Sequence, residues 1–191
     1  RVSPNQLAQE ACQIEIEKLK KISGKQDQYA AAFGGINKFL FKKNDEIQIV
    51  PIKISAKNIS DLFFNLKMLW TGQKRDSSKI AKSYNLEAKN FENSIDFKEM
   101  VILFQKELER NKLNYKNIGS MIKDSWLIKK KFSKAVSPKA IENISKKLNQ
   151  LDVEGHRLLG AGGGGFFLFL LNNNKLKKVR KNFLNSKIIE I

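Results

Sequence analysis

Cysteine, proline and arginine are all scarce in this 191-residue sequence. The single cysteine, Cys12, excludes an internal disulfide framework and any zinc site built on several cysteines. Three prolines exclude Pro-rich and collagen-like classes, and a hydrophobic content of 41% excludes a wholly disordered chain. Long apolar runs are missing too. The longest, Phe166 to Leu171, falls far short of the roughly 20 residues that span a bilayer. The opening residues, Arg1-Val2-Ser3-Pro4, contain no apolar signal-peptide core, so the expected compartment is the cytoplasm.

What is abundant is lysine. There are 36 basic and 19 acidic residues, a net charge of +17, yet only Arg1, Arg75, Arg110, Arg157 and Arg180 are arginines. Base readout and bidentate phosphate clamping favour the planar fork of arginine. The lysines are also dispersed, with local clusters at Lys129-Lys130-Lys131 and Lys175 to Lys181. A solvated surface is therefore the expectation, with no membrane partner, and with a nucleic-acid partner disfavoured rather than excluded. The same field would steer an anionic substrate inward.

Ser3-Pro4-Asn5-Gln6 reads as a helix start, with Ser3 as N-cap, Pro4 at the first helical position and Gln6 closing a capping box. Apolar spacing carries that helix to about Lys20, with Gly24 ending it. A small-residue segment follows to Gly35. Ile36 to Phe41 and Ile47 to Ile54 read as strands joined by the turn Lys43-Asn44-Asp45, and Leu66 to Trp70 as a third strand. Helices are expected near Lys79 to Ser83, Phe97 to Asn111, Asn117 to Phe132 and Pro138 to Leu148. The region before Gly160 reads as polar and helical. Phe166 to Leu171 then reads as a strand, Lys175 to Leu184 as a basic helix and Ile188 to Ile191 as a last strand. The composition shifts near Ile59, giving expected domains of 1–58 and 59–191. The class is α+β.

Two segments carry chemistry. Gly160-Ala161-Gly162-Gly163-Gly164-Gly165 formally contains G-x-G-x-x-G, but no helix follows it, which excludes a dinucleotide-binding fingerprint. No Lys-Ser/Thr follows either, which excludes a Walker loop. Five glycines in six residues imply positive φ or a close approach: a tight turn packed under another loop, or a backbone beside a phosphate-bearing ligand. Asp27 lies in an accessible Gly- and Ala-rich stretch, where a carboxylate can orient a hydroxyl or take its proton. Glu15 and Glu17, upstream on the helix, are surface acids or a Mg²⁺ ligand. His156 is expected at the surface beside the loop.

Taken together, Gly24-Lys25-Gln26-Asp27-Gln28-Tyr29-Ala30-Ala31-Ala32-Phe33-Gly34-Gly35, Leu69-Trp70-Thr71-Gly72 with Arg75, and Leu158-Leu159 with the glycine run and Phe166 resemble the GHMP small-molecule kinases. Within them they look most like the bacterial kinases of D-glycero-D-manno-heptose 7-phosphate. That resemblance implies the end of an S5-like N-terminal domain followed by a ferredoxin-like α/β-plait with extra helices. It also implies ATP-dependent phosphorylation of the anomeric hydroxyl of a sugar phosphate, on the way to heptose for surface lipopolysaccharide.

By the resemblance Asp27 is the active-site Asp and Glu15 the Mg²⁺-binding acid, while Gly162, Gly163 and Gly164 belong to the motif beside the ATP phosphate loop. Gly24, Gln28 and Arg75 are substrate-binding candidates, Arg75 as a clamp on the sugar's phosphate. The implied cofactors are ATP and Mg²⁺. The family's own ATP-binding loop does not occur here, so the chain is expected to be the C-terminal portion of such a kinase, completed by a missing N-terminal half or by a homodimer. The alternative is a non-catalytic sugar-phosphate-binding remnant or regulatory module.

Overall fold

Ser3 stands at the start of the first helix, α1 (Pro4–Cys12), where its Oγ accepts from the Gln6 N–H at 3.1 Å. The reciprocal half of the capping box does not form, because the Gln6 amide donates instead to Glu10 at 2.9 Å. The helix continues as a π-helical stretch, Gln13–Lys18. It stops at Lys20, whose φ of 53° breaks the helical path four residues before Gly24. A computed structural model provides this description, covering residues 2–84 and 88–191, with side chains 88–96 and 173 left outside it.

The chain forms two units, Arg1–Lys53 and Ile54–Ile191. In the first, the small-residue segment contains a second helix, α2 (Gln26–Phe33). Its three alanines have the highest helix propensity, and Gly34, with φ 61°, ends it. Strands β1 (Asn37–Phe41) and β2 (Ile47–Pro51) form an antiparallel hairpin pairing Phe39 with Ile49. Its turn passes through Asp45 at φ 60°. Ala8, Cys12 and Tyr29 form the buried centre, with Ile16, Phe33, Phe39 and Ile47 around them.

The second unit begins with α3 (Ala56–Asn65), capped by Ser55. Ile59, the composition break, lies inside this helix. Strand β3 (Leu66–Trp70) precedes four helices: α4 (Ser77–Lys82), α5 (Ala88–Leu108), α6 (Tyr115–Lys130) and α7 (Lys139–Gln150). Pro138 occupies the N-cap of α7 rather than its first turn, and the Ser137 hydroxyl bonds Glu142 at 2.6 Å. The expected polar helix before Gly160 is instead a strand, β4 (Gly155–Leu158). It forms a hairpin with β5 (Phe166–Leu170), followed by α8 (Leu176–Asn182) and β6 (Ile188–Glu190).

The sheet order is β4-β5-β3-β6, antiparallel throughout. A β-α-β-β-α-β chain in this order is the ferredoxin-like split βαβ, with four α-helices among the described residues in place of the usual first one. Leu69, Phe167, Phe169 and Leu158 fill one face of the sheet, against Trp126 of α6, Ile141 and Leu148 of α7 and Val179 of α8. Helix α6 crosses β4 where glycine meets glycine, so that a Cβ on Gly155 would overlap the carbonyl of Gly119. No helix among the described residues is long and apolar enough to cross a membrane.

Candidate functional site

In the first unit the acidic candidates stand on two helical segments. Glu15 lies on the π-helical turn, half-buried. The Gln28 amide, from the first turn of α2, donates to its Oε2 at 3.0 Å. Lys21 Nζ stands 3.9 Å from the other oxygen. Gln28 therefore fixes the Glu15 carboxylate, while its own Oε1 is buried and unpartnered. Asp27 sits in the first turn of α2 and is exposed, where the partial positive charge of the helix N-terminus favours an anion. Gly24 is exposed, and a Cβ there would meet nothing within 4 Å. Neither steric crowding nor a positive φ accounts for glycine at that position.

In the second unit the glycine run closes the β4–β5 hairpin, where each glycine's missing side chain leaves room for a neighbour. A Cβ on Gly160 or Gly165 would collide with the Arg75 guanidinium, whose Nη2 approaches the first and Nη1 the second. Gly162 (φ 115°) would meet the Val136 backbone at 2.8 Å, Gly163 (φ 73°) the Ile80 Cδ1 at 2.9 Å, and Gly164 the Gln73 carbonyl at 2.5 Å. The loop is thus packed beneath residues 73–80 and 135–136, and protein atoms already fill the Cβ positions.

Hydrogen bonds hold it there. Gly163 N–H donates to the Val136 carbonyl at 2.8 Å and Gly165 N–H to the Gln73 carbonyl at 3.0 Å. Thr71, buried, donates its N–H and hydroxyl to the Gly165 carbonyl at 3.0 and 2.8 Å. The Tyr84 hydroxyl donates to the Ala161 carbonyl and Lys129 Nζ to the Gly160 carbonyl.

Burial lowers the Arg75 guanidinium pKa and raises that of the Tyr84 phenol. Arg75 Nη1 is inaccessible and unpartnered. An arginine in this position braces the loop at Gly160 and Gly165 and adds positive charge there. Thr71, Gly72 and Arg75 stand out in the sequence as one segment. Tyr84, Lys129 and Val136 reach the loop from distant elements and carry no local signal; Lys129 is visible only as one of a charge cluster.

His156 is not at the surface. It is 1% exposed on β4, with Nε2 2.7 Å from the Ser145 hydroxyl, which in turn accepts from Trp126 Nε1 at 3.3 Å. Strand alternation turns it onto the same sheet face as Leu158, into the core. Burial foremost, then Lys123 and Lys130, pushes its pKa down to about 4, against a weaker pull upward from Glu142.

The antiparallel split-βαβ sheet, with its glycine-rich hairpin packed between two other segments, sets the fold class, and comparison with known proteins gives the domain type. Residues 104–188 match the family model described as GHMP kinases C terminal. The chain carries a GHMP kinase C-terminal domain. It is 30% identical over 144 residues to D-glycero-alpha-D-manno-heptose 7-phosphate kinase of Campylobacter jejuni, covering 74% of this chain and 42% of that protein. Its fold is similar to a D-glycero-D-manno-heptose 1-phosphate kinase from Bacteroides thetaiotaomicron, with TM-score 0.65 and 21% identity over 99% of this chain and 52% of that one. It is also similar to Streptococcus pneumoniae phosphomevalonate kinase in complex with phosphomevalonate and AMPPNP, with TM-score 0.75 and 16% identity over 100% of this chain and 62% of that one. The chain therefore spans less than two thirds of the length of each of these relatives.

Proposed function

We propose that this chain works as part of a cytoplasmic, ATP-dependent sugar-phosphate kinase that phosphorylates the anomeric hydroxyl of D-glycero-D-manno-heptose 7-phosphate. The observation that carries the reading is the glycine-rich hairpin braced by Arg75 and Thr71, in a chain 30% identical to a heptose 7-phosphate kinase. In the transfer, the acceptor oxygen bonds to the γ-phosphorus of ATP, the bond to the β–γ bridging oxygen breaks, and ADP leaves. Such a step needs positioning and charge neutralisation more than covalent chemistry.

Asp27 orients the acceptor hydroxyl and takes its proton, an exposed carboxylate being free to reach a substrate. Gln28 holds Glu15 in one orientation. No group of three or more metal-ligating side chains occurs among the described residues. Mg²⁺ is commonly held by one or two carboxylates plus phosphate oxygens and water, and one fixed carboxylate fits that requirement. Bound there, Mg²⁺ would neutralise phosphate charge. In the first unit Gly24 leaves open space before α2 for the sugar. In the second, the family resemblance assigns Gly162, Gly163 and Gly164 to substrate binding, and Arg75 braces that loop and supplies charge for an anionic substrate.

The test is Asp27→Ala in the complete gene product, assayed by transfer from ATP to the heptose phosphate. Loss of about 10²-fold or more in kcat is expected from removing a general base, with the thermal transition unchanged. Undiminished turnover overturns the assignment.

A further inference from the structure

A depression of about 550 Å³ lies between α7 and α8, lined by Lys146, Lys147 and Lys178 together with the amides of Asn143, Gln150 and Asn182. Among the described residues no carboxylate lines it. The neighbouring acids are already engaged. Glu142 of α7 is bonded to Ser137 at 2.6 Å and to Lys130 at 3.1 Å. Asp152, next to the lining Leu151, is bonded to Lys175 at 2.5 Å.

The floor is held in place. Lys147 Nζ donates to the Asn182 carbonyl and stands 4.8 Å over the Phe183 ring, tying α7 to the end of α8. Lys146 and Lys178 are exposed on either side. Ammonium groups act as point charges on phosphate, and carboxamide N–H groups donate to its remaining oxygens. The volume falls in the range of small-molecule sites.

We propose that the α7–α8 groove is a binding site for a phosphate-rich anion, with Lys146 and Lys178 supplying the charge and the three amides the hydrogen bonds. The site lies wholly within the second unit and does not depend on the kinase reading.

The probe is inorganic tripolyphosphate, titrated into the whole chain by calorimetry and by amide NMR at low and raised salt. A short single-stranded oligonucleotide serves as a second arm, to distinguish free polyphosphate from a nucleic-acid backbone. One saturable site is expected, with shifts at Asn143, Gln150 and Asn182 and an affinity that falls with salt as counterion release requires. Replacing two charges, Lys146→Glu with Lys178→Glu, should weaken binding roughly tenfold or more, while leaving the thermal transition within a few degrees. Binding of the oligonucleotide alone, lost in the same double variant, assigns the groove to a nucleic-acid backbone and supports the site. Failure of both probes to saturate, unchanged affinity in the double variant, or shifts confined to Gly162–Gly164 overturns it. The last outcome would leave the kinase reading standing.

Discussion

His156 shows how one side chain's meaning depends on which face of a strand it occupies. Neutral imidazole fits a core position with one hydroxyl partner, but imidazolium does not, because charge there loses its hydration without gaining a carboxylate. The native pKa is lowered from 6.5 to about 4, so between these values the unfolded chain binds a proton that the folded one excludes. The stabilisation is complete above pH 6.5 and is lost as pH falls towards 4, a contribution of at most roughly 3 kcal/mol by linkage. Denaturant unfolding followed across that window should show stability falling towards acid, and His156→Gln should flatten the slope. A slope unchanged in the variant would place the acid sensitivity elsewhere. Sequence alone marks this His as a neighbour of the glycine run, because a four-residue strand is too short to show its alternation. Asp27 and Glu15 are different: their residue types are legible in the sequence, but the Gln28 hydrogen bond that fixes Glu15 is visible only once α2 folds back onto the first helix.

At the scale of elements, the pattern reads well where it is long or sharply bounded. Strand β3, the β1–β2 hairpin and helices α6 and α7 lie close to their expected ranges, since apolar periodicity and turn residues agree there. Helix α2 has only eight residues between flanking glycines, less than the window in which helical period shows. Strand β4 is hidden because Gly155, His156 and Arg157 look polar, although pairing with β5 buries two of the three. The glycine run can be read as either packed loop or ligand-facing backbone, and what packs against it depends on residues up to about ninety positions away, such as Thr71. Gly162→Ala tests that packing. A Cβ there combines φ 115° with 2.8 Å to the Val136 backbone, and strain of about 1–3 kcal/mol is expected. Thermal unfolding should move down by several degrees, with faster amide exchange at Gly163 and Gly165, whose N–H groups the packing holds. An unshifted transition would mean that the 133–136 turn yields freely.

The whole molecule carries +17, and most ion pairs among the described residues, such as Lys25–Asp45, Lys42–Glu46, Lys175–Asp152 and Arg180–Glu190, join exposed or half-exposed side chains. Salt acts on these two features in opposite directions. Screening weakens exposed pairs, but each contributes only about 0–1 kcal/mol. It also relieves repulsion among the unbalanced lysines, a term that opposes the compact state. With far more unbalanced cations than pairs, relief should win. The midpoint of thermal unfolding is therefore expected to rise between low and physiological ionic strength in sodium chloride, over which the screening length shrinks from about 30 to 8 Å. A polyvalent anion that occupies the α7–α8 groove should raise it further at matched ionic strength, because a ligand of the folded state stabilises by mass action. In Lys146→Glu with Lys178→Glu, the chloride response should persist at reduced size while the extra polyanion response disappears. That separation is what distinguishes a diffuse field from a site. A midpoint that falls with chloride would show the exposed pairs outweighing the repulsion, and the lysine surface would then contribute through local contacts rather than through its net charge.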